Sequence, residues 1–340
     1  MTKLTYPDLG WTRHFARQAE AEAIAPLRIV DVHRNAIEVL GLDGQHTLTV
    51  PEGFSPLTTG DWITADNGRV THLFDRETSL SRRAAGEDAR AQLIAANVTT
   101  LGIVSSCNAD FNERRLERYL VLASDAGTLP LIVLTKADQT DDPDAFVKRA
   151  EALSPLVTAL AIDATDPLEI KRLTPWCKGG DTLALVGSSG VGKTTIRNGL
   201  TGDTAATQGI REDDARGRHT TTSRSLVRTT VGGWLIDTPG MRALRLFDVS
   251  DGIEAVFADI EDLALSCRFS DCAHVSEPGC AIQAALADGE IDEARLKRWF
   301  KLKAEDRYNT ETIAEARHRQ KGFQKMVNGA MRRKRFEQGD

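Results

Sequence analysis

The chain has 340 residues, 41% hydrophobic and 27% charged, which fits a folded protein of two or three domains and excludes a disordered, collagen-like or low-complexity chain. No run approaches the roughly 18 apolar residues of a membrane span, and residues 1–20 carry charges and aromatics where a signal peptide has an apolar stretch, so a cytoplasmic protein without membrane contact is expected. A net charge of −6 excludes a uniformly basic surface, and five cysteines are too few and too odd in number for a disulfide scaffold.

Five short strand-like runs fill residues 27–74: Leu27–His33, Ala36–Leu40, His46–Val50, Asp61–Ala65 and Val70–Phe74. Turn residues separate them, including Gly41 to Gly44, Pro51 to Gly53, Gly60 and Asn67-Gly68, so the spacing predicts a small antiparallel barrel of OB type. A basic, polar connector follows through Arg76, Arg82, Arg83 and Gly86.

The rhythm then changes to apolar strands at 98–104, 130–134, 157–162 and 182–186, with helical stretches at 112–124 and 145–153. That βαβ alternation predicts a mostly parallel sheet with helices on both faces.

Leu134-Thr135-Lys136-Ala137-Asp138 closes one of these strands. Guanine offers N1–H and N2–H₂ donors at an edge where adenine does not, so the Asp138 carboxylate can accept both, while the Lys136 stem covers the ring. An ordinary surface Lys and Asp at a strand end would look the same. Ile162-Asp163-Ala164 after the next strand can offer a backbone N–H to guanine O6.

Leu183–Val186 runs into Gly187-Ser188-Ser189-Gly190-Val191-Gly192-Lys193-Thr194, a full G-x4-G-K-[ST] match between a strand and a helix. The glycines let backbone N–H groups turn toward phosphates, the helix N-terminus through Thr195 adds its positive pole, Lys193 reaches the β- and γ-phosphates, and the Thr194 hydroxyl ligates Mg²⁺. Trp234-Leu-Ile-Asp237-Thr-Pro-Gly240 reads as a strand ending in D-x-x-G, with Asp237 supporting the Mg²⁺ shell and the Gly240 N–H sensing the γ-phosphate. Between the two lies the polar run Gly217-Arg-His219-Thr220-Thr221-Thr222, expected to be a switch loop that supplies a threonine, Thr221 among the choices, to Mg²⁺.

From about Ser250 the strands stop. Cys267-x4-Cys272-x-His274-x5-Cys280 supplies three thiolates and an imidazole, the donor set of a closed structural Zn²⁺ site. Cys107 and Cys177 are expected to be inert. From Arg295 to Phe336 there are 14 Lys and Arg against 4 Asp and Glu, with Trp299, Phe300, Phe323 and Phe336 interleaved, a composition suited to phosphate contacts and base stacking. A solvated helical face is the plain alternative. Neither heptads nor a sizeable apolar run calls for self-association, so a monomer is expected.

T-K-x-D, then G-x4-G-K-T, then D-T-P-G inverts the usual order of these motifs and resembles a circularly permuted GTPase. With the barrel before it and Cys267-Arg-Phe-Ser-Asp-Cys-Ala-His274 after it, essentially the whole chain resembles the ribosome small-subunit-dependent GTPase A family (RsgA, also called YjeQ). The resemblance implies an α/β P-loop GTPase core, circularly permuted with a mostly parallel sheet, an N-terminal OB-like barrel and a C-terminal helical zinc-binding domain, at residues 86–250, 1–85 and 251–340 respectively. It also implies hydrolysis of GTP to GDP and phosphate, one structural Zn²⁺, Mg²⁺ with the nucleotide, and binding to the small ribosomal subunit and its rRNA late in maturation. His219 is the residue it points to for orienting water. An RNA-binding regulator with GTP as a conformational ligand, and a P-loop ATPase or kinase, are the competing classes. Two positions depart from the common GTPase pattern: Thr135 stands where Asn is usual, and Met241 follows Gly240 where Ras-like GTPases place a water-orienting Gln.

Overall fold

The computed structural model describes residues 4–19, 25–83, 91–155, 157–203, 225–238, 246, 248–307 and 309. The five expected barrel strands form at β1 (Leu27–Val32), β2 (Ala36–Gly41), β3 (Gly44–Thr49), β4 (Trp62–Asp66) and β5 (Arg69–Leu73), and they close in the order β1-β2-β3-β5-β4. Every pairing is antiparallel except β3 with β5, which meet in parallel at Thr49 and Arg69. Asn67 and Gly68 both take positive φ, +48° and +76°, as a two-residue hairpin turn matching the strand twist requires. Ile29, Ile37, Val39, Leu48, Ile63 and Val70 fill the barrel.

Trp62 and Phe74 belong to a different core. Trp11 meets Trp62 edge-on at 4.8 Å and Phe74 at 5.1 Å, and Phe15, on the short helix α1 (Arg13–Gln18), joins them. α1 is too short for helical periodicity to reveal it. Its start is set by Thr12, whose side chain accepts the His14 N–H.

Part of the segment read as a polar connector is a paired strand; Gly86 lies outside the described residues. β6 (Ser79–Arg83) runs antiparallel to β7 (Ala91–Ala96), burying Leu80 against the core that holds Ile94. Arg76 just before it is bound to the fully buried Asp61 carboxylate, with Nε 2.6 Å from Oδ1. One apolar residue in Ser79–Arg82 leaves no alternation to detect; the strand forms because β7 supplies the ladder.

The central sheet has the order β10-β9-β8-β11-β13-β12, formed by β8 (Thr100–Ser106), β9 (Leu129–Thr135), β10 (Thr158–Ala161), β11 (Thr182–Gly187), β12 (Leu226–Arg228) and β13 (Trp234–Asp237). All pairings are parallel except β12 with β13. Alternate residues feed separate cores: Leu101, Ile103, Ile132, Leu134, Ala184 and Val186 face one, Val104, Leu131, Val133, Leu183 and Leu185 the other. A sheet covered on both sides needs continuous apolar strands, which explains why they were legible. The chain runs outward from β8 to β10, then returns to β11, on whose other side it places β12 at the edge and then β13 between β12 and β11. β8 and β11 therefore flank the point where the winding reverses, where open α/β sheets bind ligands.

Helices α2 (Glu113–Asp125) and α3 (Pro143–Glu151) cover the first face, while α4 (Pro167–Ile170) and α5 (Lys193–Thr201) cover the second. After the sheet come α6 (Ser250–Val256), α7 (Ala258–Leu265), α8 (Ala281–Ala287) and a last helix over 293–307.

This last helix corrects the reading of its charges and aromatics. Arg298 Nε lies 2.7 Å and Arg295 3.4 Å from the carboxylate of Glu117, a fully buried residue of α2. Arg118 of α2 in turn pairs with Glu305, while Lys297 pairs with Glu293 and Lys303 with Glu261. Trp299 is a core residue, 3% exposed, with its indole N–H on Glu261. The first two turns of the basic run thus dock the helix on the α/β core. Phe300 is partly exposed, and Phe323, Phe336 and the cluster at 332–335 lie outside the described residues.

Candidate functional site

Three strand ends meet at the carboxyl edge of the sheet. β11 ends in Gly187, whose φ of +144° suits glycine, and a Cβ there would lie 2.2 Å from the Val104 carbonyl oxygen of β8. Gly190 and Gly192 are also left-handed, at +77° and +98°. Gly192 precedes α5 without a side-chain cap, so the first-turn N–H groups of Lys193, Thr194 and Thr195 remain available to an anion. The Lys193 ammonium donates to the carbonyls of Gly187 (2.9 Å) and Ser188 (2.6 Å). Burial lowers its pKa, an effect opposed by the charges of Asp237 and Asp110.

Asp237 stands opposite Leu185 in register, one strand over from the glycine loop. Burial raises its carboxyl pKa, with Arg197 and Lys193 pulling it back down. The buried Thr238 hydroxyl donates to the Leu185 carbonyl at 2.6 Å and ties the two strand ends together. Gly240, Met241 and the 217–222 run with His219 and Thr221 lie outside the described residues.

β9 delivers Thr135 to the same edge, with its Oγ1 2.7 Å from the Val191 carbonyl and 3.1 Å from that of Ser105. A hydroxyl has one proton, so the shorter contact, to the glycine loop, is the primary bond. The single-atom reach of Thr is enough here because β9 brings Thr135 against the loop: a Cβ on Gly192 would lie 3.3 Å from its methyl. Lys136 then turns left-handed, φ +59°, into the 3₁₀ turn Ala137–Gln139, leaving the Asp138 side chain exposed. The Ala137 N–H reaches the Ile162 carbonyl at 3.2 Å, which sets Asp163-Ala164 beside this turn. Asp163 is engaged locally, its carboxylate accepting the Thr165 hydroxyl and N–H and titrating below the usual range for that reason.

Sequence reasoning missed Asp110, on the loop after β8. Its carboxylate pairs with Arg115 at 2.7 Å and acts electrostatically on Lys193. No spacing rule flags it, because its approach to Lys193 depends on β8 and β11 being neighbours.

The four zinc-type donors also converge. Cys267 Sγ lies 3.9 Å from Cys280 Sγ and 3.5 Å from His274 Nδ1, and Cys280 Sγ lies 3.7 Å from the same nitrogen. One ligand atom from each of Cys267, Cys272, His274 and Cys280 falls within 4.8 Å of the others. A tetrahedron with Zn–S and Zn–N bonds of about 2.3 and 2.05 Å has edges of about 3.8 Å (S–S) and 3.6 Å (S–N), so these donors fit a zinc ion. Cys107 and Cys177 are buried apart from the cluster, and burial holds both thiols up at about 11.

The comparisons agree with this architecture. The RsgA GTPase family model matches residues 73–247. The small ribosomal subunit biogenesis GTPase RsgA of Mesorhizobium japonicum is 48% identical, covering 89% of this chain and 90% of its own. RsgA 2 of Vibrio vulnificus is 44% identical, covering 95% and 94%. Among solved structures, YjeQ from Thermotoga maritima superposes with a TM-score of 0.62 at 24% identity, covering 82% of this chain and 96% of that one. YloQ, a circularly permuted GTPase, gives 0.57 at 21%, covering 88% and 97%. Those two likenesses speak for the fold, and the long matches to the two relatives speak for descent: the chain belongs to the RsgA GTPase family.

Proposed function

We propose that this chain hydrolyses GTP to GDP and phosphate in the service of small ribosomal subunit biogenesis, binding the subunit through its rRNA. The observation that carries the enzymatic part is the Thr135–Val191 bond, which joins the Asp138 turn to the phosphate loop at one edge of the sheet. The ribosomal part rests on the role that the relatives are named for, matched along nearly their whole length.

At that edge, residues 187–195 hold the phosphates, Lys193 neutralises the β–γ bridge, and Asp138 with Lys136 reads and covers guanine. Thr194 would hold Mg²⁺ with Asp237 behind it; bound there, the ion neutralises charge on the transferring phosphoryl group. Thr221 would complete that shell, His219 would orient the attacking water, and Gly240 would sense the γ-phosphate. A thioether at Met241 cannot orient water, so turnover is slow until the subunit docks. Cys267, Cys272, His274 and Cys280 would hold one Zn²⁺, which would be structural, since four protein donors leave no open position. The barrel, the switch loop and the basic C-terminal arm beyond the docked helix contact rRNA, and the protein works as a cytoplasmic monomer.

The test is GTP turnover by the purified chain, alone and with purified small subunits, with ATP and Lys193→Ala as controls. Stimulation confined to GTP and lost in Lys193→Ala is expected. Tight subunit binding without stimulation would favour a regulator that uses GTP only as a ligand, and ATP turnover would overturn the guanine assignment of Asp138.

A further inference from the structure

Two of the four zinc-type donors come with helices: Cys267 lies two residues past α7, and Cys280 immediately precedes α8. His274 comes from the irregular run between them, and its backbone is left-handed, φ +60°. A non-glycine residue holds that conformation only when its surroundings enforce it.

The enforcing group is a carboxylate. Glu277 Oε1 accepts the Ala273 N–H at 3.1 Å, while Oε2 accepts those of Val275 (2.9 Å) and Ser276 (3.0 Å). Three peptide donors around His274 thus converge on one side chain. From the other side Gln283 of α8 donates to the His274 carbonyl at 2.7 Å, and the imidazole packs 5.9 Å from the Trp299 ring. Backbone and ring are held together, and Nδ1 ends up within 3.5 and 3.7 Å of two thiols.

Resting on the zinc reading above, we infer that Glu277 is a positioning residue for metal binding, fixing the turn that presents His274. It acts through the backbone and not as a ligand, because both of its oxygens are spent on peptide N–H groups. Charge does not explain it either: three thiolates already outweigh a divalent ion, so a further negative group gains nothing electrostatically. The contribution is preorganisation, and groups that orient a metal ligand in this way are worth about 10- to 100-fold in affinity.

The two oxygens grade the test. Gln at 277 keeps one acceptor and can satisfy only one arm of the contact, whereas Ala keeps none. Full-length wild type, Glu277→Gln, Glu277→Ala and Gln283→Ala would be titrated with Zn²⁺ against a chromophoric chelator, followed by zinc release into excess chelator and the visible absorption of the Co²⁺-substituted forms. Wild type is expected to hold one zinc. Glu277→Ala should bind it about 10- to 100-fold more weakly and release it faster, with Glu277→Gln between, and the cobalt bands should move away from those of a four-coordinate S₃N site. One zinc in wild type with unchanged affinity, release and cobalt spectrum in Glu277→Ala overturns the inference. Should that variant fail to fold by circular dichroism, unchanged values in Glu277→Gln overturn it instead. A wild-type chain that binds no zinc overturns the zinc reading itself, and this inference with it.

Discussion

The hydroxyl of Thr135 donates to the backbone carbonyl of Val191 at 2.7 Å, so the strand end that leads to Asp138 is bonded directly to the glycine loop. Removing that hydroxyl leaves a buried carbonyl without its partner and loosens the loop against β9. Thr135→Ala should weaken GDP binding about tenfold, the equivalent of roughly 1–1.5 kcal/mol, as read by titration with a fluorescent GDP analogue. Thr135→Ser, which keeps the hydroxyl, should lose much less. Equal losses in the two variants would show that the methyl, and not the hydrogen bond, is what matters.

Asp138 is exposed at the tip of a tight turn and makes no contribution to the core. Asp138→Ala should leave the melting temperature within about 1–2 °C of wild type, since surface changes stay within about 0.5 kcal/mol, yet lower the preference for GDP over ADP by at least about tenfold. Competition binding with both nucleotides checks this, and an unaltered preference would remove Asp138 from the base site.

Gly187 faces a different constraint. Alanine there would place its Cβ 2.2 Å from the Val104 carbonyl oxygen, at a φ of +144°. β8 and β11 would have to separate, so Gly187→Ala should cost about 2 kcal/mol or more in urea unfolding and abolish nucleotide binding.

Glu117 is fully buried between two arginines of the last helix. Burial, helped by the charge of Glu113, drives its carboxyl pKa up, and Arg298 and Arg295 draw it back. Glu117→Ala leaves Arg298 with only a 3.5 Å contact to Glu113 in a partly dry interface, while Arg295 keeps its pair with Asp259 at 2.8 Å, a change worth about 2–3 kcal/mol. The C-terminal helices should detach first, visible as early loss of Trp299 fluorescence change in a urea titration.

Asp125 sets a pH dependence. It keeps part of its surface in water, but burial of the rest, followed by the charges of Asp248, Asp251 and Asp306, raises its pKa from 3.8 to about 6. A carboxyl raised in the folded state supports folding while protonated, so that support is complete below pH 3.8 and lost as pH climbs through about 6. Asp125→Asn should therefore gain stability relative to wild type at pH 7.5 and not at pH 4. Solvent screening holds the gain to about 1 kcal/mol or less. Unfolding midpoints at the two pH values measure it; an equal difference at both would assign the effect to packing.

Much of this protein is legible in its residues because the decisive signals are local. The glycine loop needs its glycines and Lys193 at fixed spacing, four soft ligands crowd into 14 residues, and strands covered on both faces must be apolar throughout. The order of T-K-x-D before G-x4-G-K-T is likewise a property of the chain alone. The remaining features depend on residues far apart in sequence. Thr135 and Val191 are 56 positions apart, Glu117 and Arg298 181, and no local pattern states whether such pairs meet. For that reason composition could not tell Trp299 in the core from a stacking surface, nor Arg298 in a buried pair from a phosphate contact. Charge and aromaticity belong to the residue, whereas burial and partnership belong to the fold.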